Sequence, residues 1–469
     1  MQDLTRLSAA EMAELIAGKK VSPVELVRAH LDRIEELNPT LNAFVCVDAE
    51  RALAAAHRAE AGLMRDGARG SLYGVPISIK SSINVAGLPC ECGSKLRAGN
   101  IPDCDAPLVV RLKAAGAIVM GNTNAPELLM AYETDNLLYG RSNNPWDLER
   151  TPGGSSGGES AALAARLCAG GVGSDGGGSI RVPAHYTGIC GLKPTPGRVP
   201  ATGHFPASAG PFALIGVVGP MARTVRDVQL MFEAMAGPDI GDPTAAPVPL
   251  RVWKGAAVRK TRVGYFEEHA DAPATPETRA AVRSAAEKLK GAGFEVEPFQ
   301  PSGLQTARRL WWNIFGRAGG FVLRPTLGDR EAEVSPILRE FLDIVAGEKP
   351  LGLEELINTL IERDQLRAEF LKQMEQFPIL LCPVCSVPAF RHGERKWLVG
   401  GREVEYLKAM SYTQWFNILG NPAAVVPVGR SPEGLPIGVQ VVGRPYQEEL
   451  VLAVAAEIER GRAWQAPQV

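Results

Sequence analysis

The stretch from Thr151 to Pro194 constrains this chain more than any other segment. It contains two glycine-flanked serine segments, GGSSGG at 153–158 and GGGSIR at 176–181, separated by a helix predicted over Glu159–Ala169. Glycine lacks a Cβ and adopts positive φ readily, so it is typical of places where backbone amides approach a ligand closely. So many candidate nucleophiles in such loops predict a catalytic centre here.

The flanking sequence alternates strand-like and helix-like segments. Buried strands are predicted at Val75–Ile79 and 117–121, and strand-like runs return at 378–382, 423–427 and 438–443. This alternation predicts an α/β fold with a large mixed β-sheet core covered by helices on both faces. Because strands recur near both ends, we expect one intertwined core. Its four predicted regions are a helical arm (1–70), the main core (71–245), a variable α/β and helical cover region (246–375) and the C-terminal part of the core (376–469).

Composition and charge argue against several classes of partner. The 469 residues include 50 Lys and Arg and 52 Asp and Glu, for a net charge of -2. This balance disfavours a nucleic-acid partner or an anionic membrane surface. The N-terminal segment lacks the apolar region of a secretory signal, and the longest apolar stretch, Gly210–Ala222, is too short to span a bilayer. We expect a cytoplasmic protein, monomeric or homodimeric, that acts on a small molecule.

The eight cysteines give no metal motif. Cys382 and Cys385 form a single CxxC, and Cys90 and Cys92 form a CxC. A zinc site needs a second CxxC or paired histidines nearby, and neither is present. The sequence predicts free thiols with a structural role in preference to a redox role. It predicts no metal and no cofactor.

Two generic motifs overlap the serine-rich stretch, and neither fits its context. Residues 154–158 match the GxSxG nucleophile elbow around Ser156, but that elbow follows a strand and DLERTPGG is not strand-like. Residues 171–176 match GxGxxG, but that fingerprint opens a helix. The following GGGSIRVP is predicted to be non-helical, so the dinucleotide interpretation is rejected.

A nucleophilic serine needs a base, and two candidates remain from the residues alone. His185 is the only histidine close in sequence to either serine segment, which leaves a Ser-His-Asp triad open. Lysine serves as the base in some variants of that triad. Lys80 ends an apolar strand, where loss of solvent lowers a lysine pKa from its usual value near 10.4.

Five ordered motifs resemble the amidase signature family. They are GVPISIK at 74–80, GGSSGG at 153–158, GSDGGGSIR at 173–181, GLKPT at 191–195 and GPMARTV at 219–225. Their order and spacing agree with the family pattern, and the similarity covers nearly the whole chain. The resemblance implies the amidase signature fold and a Ser–cisSer–Lys triad, in which Ser179 is the nucleophile, Ser155 relays the proton and Lys80 is the base.

The resemblance also assigns supporting roles around the triad. Backbone amides of the nucleophile loop would bind the oxyanion, and they belong to Gly176, Gly177, Gly178 and Ser179. Neighbouring polar side chains would brace the loops, namely Ser156, Asp175 and Arg181. The chain departs from the family at two positions. Gly176 replaces a frequent threonine, which we expect to loosen or enlarge the loop, and Ser81 replaces a usual aspartate, which we expect to help keep Lys80 neutral.

The substrate is the least constrained part of the prediction. The segment between Gly197 and Gly219 is longer and more apolar than in the family's glutamine-hydrolysing amidotransferase subunits, and we expect it to cover the site. Candidate substrate-binding residues are Met130, Tyr132, Trp311 and Phe315, although the helical spacing of Trp311 and Phe315 is more often typical of a core. We expect a stand-alone hydrolase of hydrophobic or aryl amides, and of esters or carbamates. The alternatives are a glutaminase-type amidotransferase subunit and an inert interaction protein, which the intact triad disfavours.

Overall fold

The computed structural model describes residues 3–469 and contains one large mixed sheet. The strands are β1 Phe44–Val47, β2 Pro76–Lys80, β3 Ile118–Thr123, β4 Gly170–Asp175, β5 Cys190–Lys193, β6 Val217–Ala222, β7 Val263–Tyr265, β8 Val296–Pro298, β9 Ile379–Pro383, β10 Lys396–Val399, β11 Arg402–Glu405, β12 Ala423–Arg430 and β13 Pro436–Gly443. Eleven of them form the sheet in the order β1-β3-β2-β4-β6-β5-β12-β13-β9-β7-β8, and β10 pairs with β11 separately. Pairing is parallel for β3–β2–β4 and β9–β7–β8 and antiparallel elsewhere.

Helices surround this sheet, which confirms the predicted α/β architecture. The helices are α1 Ala9–Ala17, α2 Pro23–Leu41, α3 Ala49–Asp66, α4 Pro107–Ala114, α5 Gly157–Ala164, α6 Arg181–Thr187, α7 Val225–Met235, α8 Ala256–Arg259, α9 Pro276–Gly291, α10 Leu304–Trp312, α11 Gly319–Leu327, α12 Pro336–Ala346, α13 Leu353–Gln376, α14 Tyr406–Ala409, α15 Ser411–Ile418 and α16 Glu448–Glu459. A π-helical segment, Asn313–Ala318, connects α10 to α11. Within residues 3–469, no helix has both the length and the apolar composition of a membrane-spanning helix.

The N-terminal region is not purely helical, contrary to the prediction for residues 1–70. Its helices start as expected: Ser8 caps α1 and Ser22 caps α2 in capping boxes. Between α2 and α3, however, β1 pairs with β3 at one edge of the sheet. A four-residue apolar run such as FVCV carries no periodicity of its own, and pairing with β3 makes it a strand.

Strand β2 separates the hydrophobic core from the site. Side chains alternate between the two faces of a strand. Ile77 and Ile79 join the core that contains Met231 and Phe232 of α7. Ser78 and Lys80 point to the opposite face, where Ser78 Oγ donates a hydrogen bond to Glu159 of α5. Lys80 therefore ends its strand on the side that carries the serine segments.

Strand β4, with the sequence GGVGSD, was missed by the sequence analysis, and its glycines explain why. Glycine is depleted in strands, so this segment shows no strand signal. A Cβ at Gly171 would lie 1.7 Å from Glu159 Oε1, and one at Gly173 would lie 2.7 Å from Ser156 Oγ. Because these glycines have no side chain, α5 and the GGSSGG loop can pack directly against a central strand. This close packing is visible only in the tertiary structure.

The helices that flank β4 also differ from the prediction. The helix predicted over Glu159–Ala169 is α5, Gly157–Ala164, and it is followed by Arg166 at φ 65°. A helix does follow the glycine triplet, because α6 starts at Arg181 and includes Pro183 in its first turn, where proline costs no internal hydrogen bond. The rejected GxGxxG segment nevertheless lies mainly in β4 and does not open a helix.

Candidate active site

Three serine hydroxyls surround the amine of Lys80. Lys80 Nζ donates to Ser155 Oγ at 2.6 Å, to Ser156 Oγ at 3.0 Å and to Ser174 Oγ at 3.1 Å. Ser156 Oγ in turn donates to the Ser174 carbonyl. A neutral amine has two N–H groups and one lone pair, so one of these hydroxyls can donate to Lys80 in return. The residues predicted to form the triad's base and relay are therefore in direct contact.

Burial sets the protonation of Lys80. Its side chain has no exposed surface. Burial lowers the pKa of Lys80 to about 7, while Cys92, Asp175 and Glu159 act in the opposite direction. Loss of water disfavours the ammonium form, and this effect exceeds the attraction of the nearby acidic groups. A lysine with this pKa is available as a neutral base at neutral pH.

Ser155 and Ser179 face one cavity. The Gly154–Ser155 peptide bond is cis, as the family resemblance implied. Ser156 N–H donates to the Ser179 carbonyl at 3.1 Å, which ties the GGSSGG loop to the nucleophile loop. Both hydroxyl-bearing residues line the same cavity. Ser179 Oγ makes no hydrogen bond to any residue in 3–469, so it is free to meet a substrate.

The glycine triplet presents a smaller set of amide donors than predicted. Gly178 N–H donates to Asp175 Oδ1 at 2.7 Å, which commits it to the loop itself. The N–H groups of Gly176, Gly177 and Ser179 have no acceptor among residues 3–469. The predicted inclusion of Gly178 in the oxyanion site is therefore corrected, because its carboxylate partner already occupies the donor.

The carboxylate of Asp175 holds the glycine triplet in place through hydrogen bonds. It accepts hydrogen bonds from the N–H groups of Gly178 and Ile180, from the Arg181 guanidinium and from Asn417. Arg181 and Asp175 are both fully buried and form a salt bridge at 2.9 Å. Burial alone raises the pKa of Asp175, but Arg181 outweighs it, and the pKa lies below its usual value. The ionised carboxylate fixes the start of the loop.

Side chains of three other segments donate hydrogen bonds to the carbonyls of the glycine triplet. Trp311 Nε1 donates to the Gly176 carbonyl at 2.8 Å. Tyr132 Oη and Thr413 Oγ1 donate to the Gly177 carbonyl at 2.9 Å and 2.7 Å. A Cβ at Gly176 would lie 3.1 Å from Phe315 Cε2. The glycine thus admits an aromatic ring against the loop.

The four candidate substrate-binding residues fall into two groups. Met130 and Phe315 line the cavity beside Ser155 and Ser179. Tyr132 and Trp311 do not line it, because both lie behind the glycine triplet and hydrogen-bond to it. Their predicted place in the substrate wall is therefore corrected to a place in the support of the loop. Trp311 belongs to the buried core, the alternative that its helical spacing left open.

Apolar side chains form most of the cavity wall. The segment 206–217 covers one side, as predicted for the long loop after Gly197, and α11 with the π-helical segment covers another. The apolar lining residues are Leu129, Met130, Pro206, Ala207, Phe212, Ile215, Val217, Phe315, Val322 and Leu323. Within residues 3–469, Asp175 is the only lining residue with a charged side chain, and Arg181 neutralises it. The wall suits an uncharged, apolar group.

The two histidines of this region differ in their hydrogen bonding. His185 is engaged on both ring nitrogens, since Gly438 N–H donates to Nδ1 and Nε2 lies 3.3 Å from the Val387 carbonyl. It therefore cannot serve a serine. His204 lines the cavity and was not singled out from sequence. Its Nδ1 pairs with the Pro206 carbonyl, and burial together with the positive charge of Lys80 lowers its pKa to about 4.

Other polar residues of the site were also missed. Ser174 contacts Lys80 and directly precedes the predicted Asp175, so its position in the motif was the available signal. Glu159 is buried, and it accepts hydrogen bonds from Ser78 and from Thr123 Oγ1, the latter at 2.7 Å. Burial raises the pKa of Glu159 to about 7. Within residues 3–469, no group of three or more His, Cys, Asp or Glu side chains is arranged to hold a metal.

The class of this protein is defined by its large mixed β-sheet, covered by helices, and by the serines that hydrogen-bond to a buried lysine. The family model described as Amidase matches residues 25–452. The chain therefore belongs to the amidase family, and it is a hydrolase of carbon–nitrogen amide bonds.

Relatives of different substrate type are about equally similar to this chain. It is 36% identical to an indoleacetamide hydrolase of Bradyrhizobium diazoefficiens, over 96% of this chain and 86% of that protein. It is 35% identical to one subunit of the glutamyl-tRNA(Gln) amidotransferase of Acidothermus cellulolyticus, over 98% of this chain and 95% of that protein. The solved structure of a bacterial aryl acylamidase of the amidase signature family has a TM-score of 0.85 and 28% identity, covering 98% of this chain and 97% of that one.

Proposed function

We propose that this protein hydrolyses small hydrophobic or aryl amides through an acyl-enzyme on Ser179. The observation that carries the proposal is the uncharged, apolar cavity into which Ser179 opens beside Ser155. The contact between buried Lys80 and Ser155 supports the proton path. Similarity to an indoleacetamide hydrolase and to an aryl acylamidase agrees with the proposed substrate class.

The proposed reaction has two halves. Ser179 Oγ forms a bond to the carbonyl carbon, while its proton passes to Ser155 Oγ and the Ser155 proton passes to neutral Lys80. Amides of the glycine loop hold the oxyanion. The C–N bond then breaks, and the proton returns through Ser155 to the leaving nitrogen. Water attacks the acyl-enzyme by the same path and releases the acid. Ser155 Oγ bonds to Lys80 and not to Ser179 in the structure. We propose that the hydrogen bond between Ser155 and Ser179 forms when substrate binds, as catalytic hydrogen bonds often do.

The cavity wall argues against glutamine as the main substrate. Free glutamine carries an ammonium and a carboxylate, and burying either without a partner costs several kcal/mol, on the order of a lost ion pair. Among residues 3–469, no lining side chain other than the neutralised Asp175 bears a charge. Apart from Asp175 and the serines that bond to Lys80, the polar side chains of the lining are Ser179, His204 and Ser208. An aryl or alkyl group fits this wall without such a penalty.

Carbamates and esters belong to the same proposal. Both place an acyl carbonyl before the nucleophile and a leaving group in the same apolar space, so the proposed steps apply to them unchanged. The amine leaving group needs the proton that Lys80 returns, whereas an alcohol needs it less. Because Lys80 and Ser155 provide a path that returns a proton to an amine, we propose amides as the main class, with aryl carbamates and esters as additional substrates.

A substrate panel on the purified chain tests the proposal. Nitroanilides, primary aryl amides, aryl carbamates and glutamine are compared for the wild type and for Ser179→Ala. We expect kcat/KM to be highest for the apolar amides and to fall about a thousandfold or more in the variant. Activity that survives Ser179→Ala overturns the mechanism. Glutamine hydrolysis that appears only on adding amidotransferase partner subunits, without anilide cleavage, supports the amidotransferase alternative instead.

A further inference from the structure

The indole of Trp311 holds one peptide of the glycine triplet. Its Nε1–H donates to the Gly176 carbonyl at 2.8 Å, and no other residue in 3–469 donates to that oxygen. Trp311 is 1% exposed and stacks on Phe315 with ring centroids 4.8 Å apart and planes 13° apart. The donor is therefore itself held in place by packing.

Anchoring this carbonyl orients a free amide. In a trans peptide, the C=O of one residue and the N–H of the next point to opposite sides. The Gly176 carbonyl points to Trp311, so Gly177 N–H points away from Trp311, and it has no acceptor among residues 3–469. The next peptide obeys the same rule, because the Gly177 carbonyl binds Tyr132 and Thr413 while Gly178 N–H reaches Asp175.

Successive glycines need such external support. They lack the Cβ that restricts backbone rotation, so a triplet of glycines adopts many peptide orientations at little cost. Donors that stabilise an oxyanion act best when they are already oriented before the reaction. A hydrogen bond from a rigid, buried indole supplies that orientation at Gly176–Gly177.

We propose that Trp311 is a positioning residue: its N–H fixes the peptide that joins the cavity-lining Gly176 to Gly177, so that Gly177 N–H is oriented to reach the oxyanion that forms on the substrate carbonyl. The inference rests on the proposed function, and it adds a determinant outside the serine-rich motifs. Trp311 lies in α10, far along the chain from the triplet, and it does not line the cavity. It therefore acts on the reaction through Gly176 and not by contact with substrate.

A matched pair of tryptophans separates the hydrogen bond from packing. Trp415 is also 1% exposed and lies in the same hydrophobic cluster, but its Nε1 has no partner among residues 3–469. Trp311→Phe and Trp415→Phe remove the same atoms from similar surroundings. Only the first removes a hydrogen bond to the loop.

The test compares kinetics with affinity for a trifluoromethyl ketone that resembles an apolar amide. Such a ketone adds to the nucleophilic serine and develops an oxyanion. In Trp311→Phe we expect kcat to fall about tenfold or more, with a small change in KM and an unchanged pH profile. Ketone affinity should fall by a factor similar to the fall in kcat/KM. In Trp415→Phe both quantities should stay within about twofold of the wild type.

Several outcomes overturn the inference. Kinetics of Trp311→Phe equal to those of Trp415→Phe, a loss confined to KM, or an unchanged ketone affinity each contradict it. If Trp311→Phe does not fold, benzothienylalanine at position 311 keeps the ring shape and replaces only the N–H, and the same losses are expected. Ser179→Ala is measured in parallel. If it remains active, the proposed function fails; if it is inactive while Trp311→Phe is fully active, only the role of Trp311 fails.

Discussion

Lys80 Nζ and Ser155 Oγ lie 2.6 Å apart, and both side chains are almost fully withdrawn from solvent. Because its side chain is buried, the amine loses the solvation that normally favours its charged form. The contact therefore joins a hydroxyl to an amine that is neutral in part of the physiological pH range. Protonation of this one group should govern the activity.

The pH dependence of kcat/KM should show an acidic limb with a midpoint near pH 7. Burial lowers the pKa of Lys80 to about 7. Above that pH the neutral amine accepts the proton from Ser155, and below it the ammonium does not. The profile is measured with an apolar anilide between pH 5 and 9, with unfolding followed at each pH as a control. Activity that stays constant from pH 5 to 8 would contradict the assignment of Lys80 as the base.

Ser81→Asp should move that limb to higher pH. Ser81 is buried next to Lys80, and its Oγ has no partner among residues 3–469. A carboxylate there favours the ammonium form of Lys80 and raises its pKa, so the base becomes neutral only at higher pH. Ser81→Asn is the matched control, since it changes size without charge. Equal midpoints in the two variants would show that the residue after Lys80 does not control its charge.

Glu159→Gln should move the limb in the opposite direction. Glu159 is among the groups that raise the pKa of Lys80 against the effect of burial. Glutamine keeps the size of the side chain and removes the negative charge that Glu159 carries above its own pKa of about 7, so the pKa of Lys80 should fall and activity should extend to lower pH. The same kcat/KM profile gives the midpoint, and a shift upward would be incompatible with this role.

Asp175→Asn should destabilise the fold as well as the loop. The change leaves the fully buried Arg181 without its only carboxylate partner among residues 3–469. Breaking a buried pair on one side costs about 3–5 kcal/mol in the free energy of unfolding. Urea unfolding measures the loss, and Glu297→Gln, which breaks the exposed pair with Arg262, is the control and should change stability far less. Equal losses in both variants would refute the bracing role of Asp175.

The sequence predicted the parts of the site that carry reactive side chains. The family resemblance implied Lys80, Ser155 and Ser179 as a triad, and the structure brings Lys80 and Ser155 into contact and places Ser155 and Ser179 on one cavity. The sequence did not predict β4. Close packing against α5 and the GGSSGG loop requires glycines in this strand, and glycines carry none of the residue pattern by which a strand is predicted. It also did not predict the support of the loop by Trp311, because a contact between such distant parts of the chain leaves no local periodicity.

Phe315→Ala should change the substrate preference more than the chemistry. Phe315 lines the cavity next to the glycine triplet, so its ring is placed to contact an aryl group of the substrate. Loss of the ring should lower kcat/KM about tenfold more for an aryl amide than for acetamide, because only the larger group loses apolar contact. Phe341 packs edge-on against Phe315 at 6.1 Å but does not line the cavity. Phe341→Ala therefore measures the effect of loosened packing alone, and it should lower kcat/KM for the aryl amide and for acetamide by similar factors. If Phe315→Ala also lowered kcat/KM for both substrates by similar factors, Phe315 would support the loop and would not form part of the substrate wall.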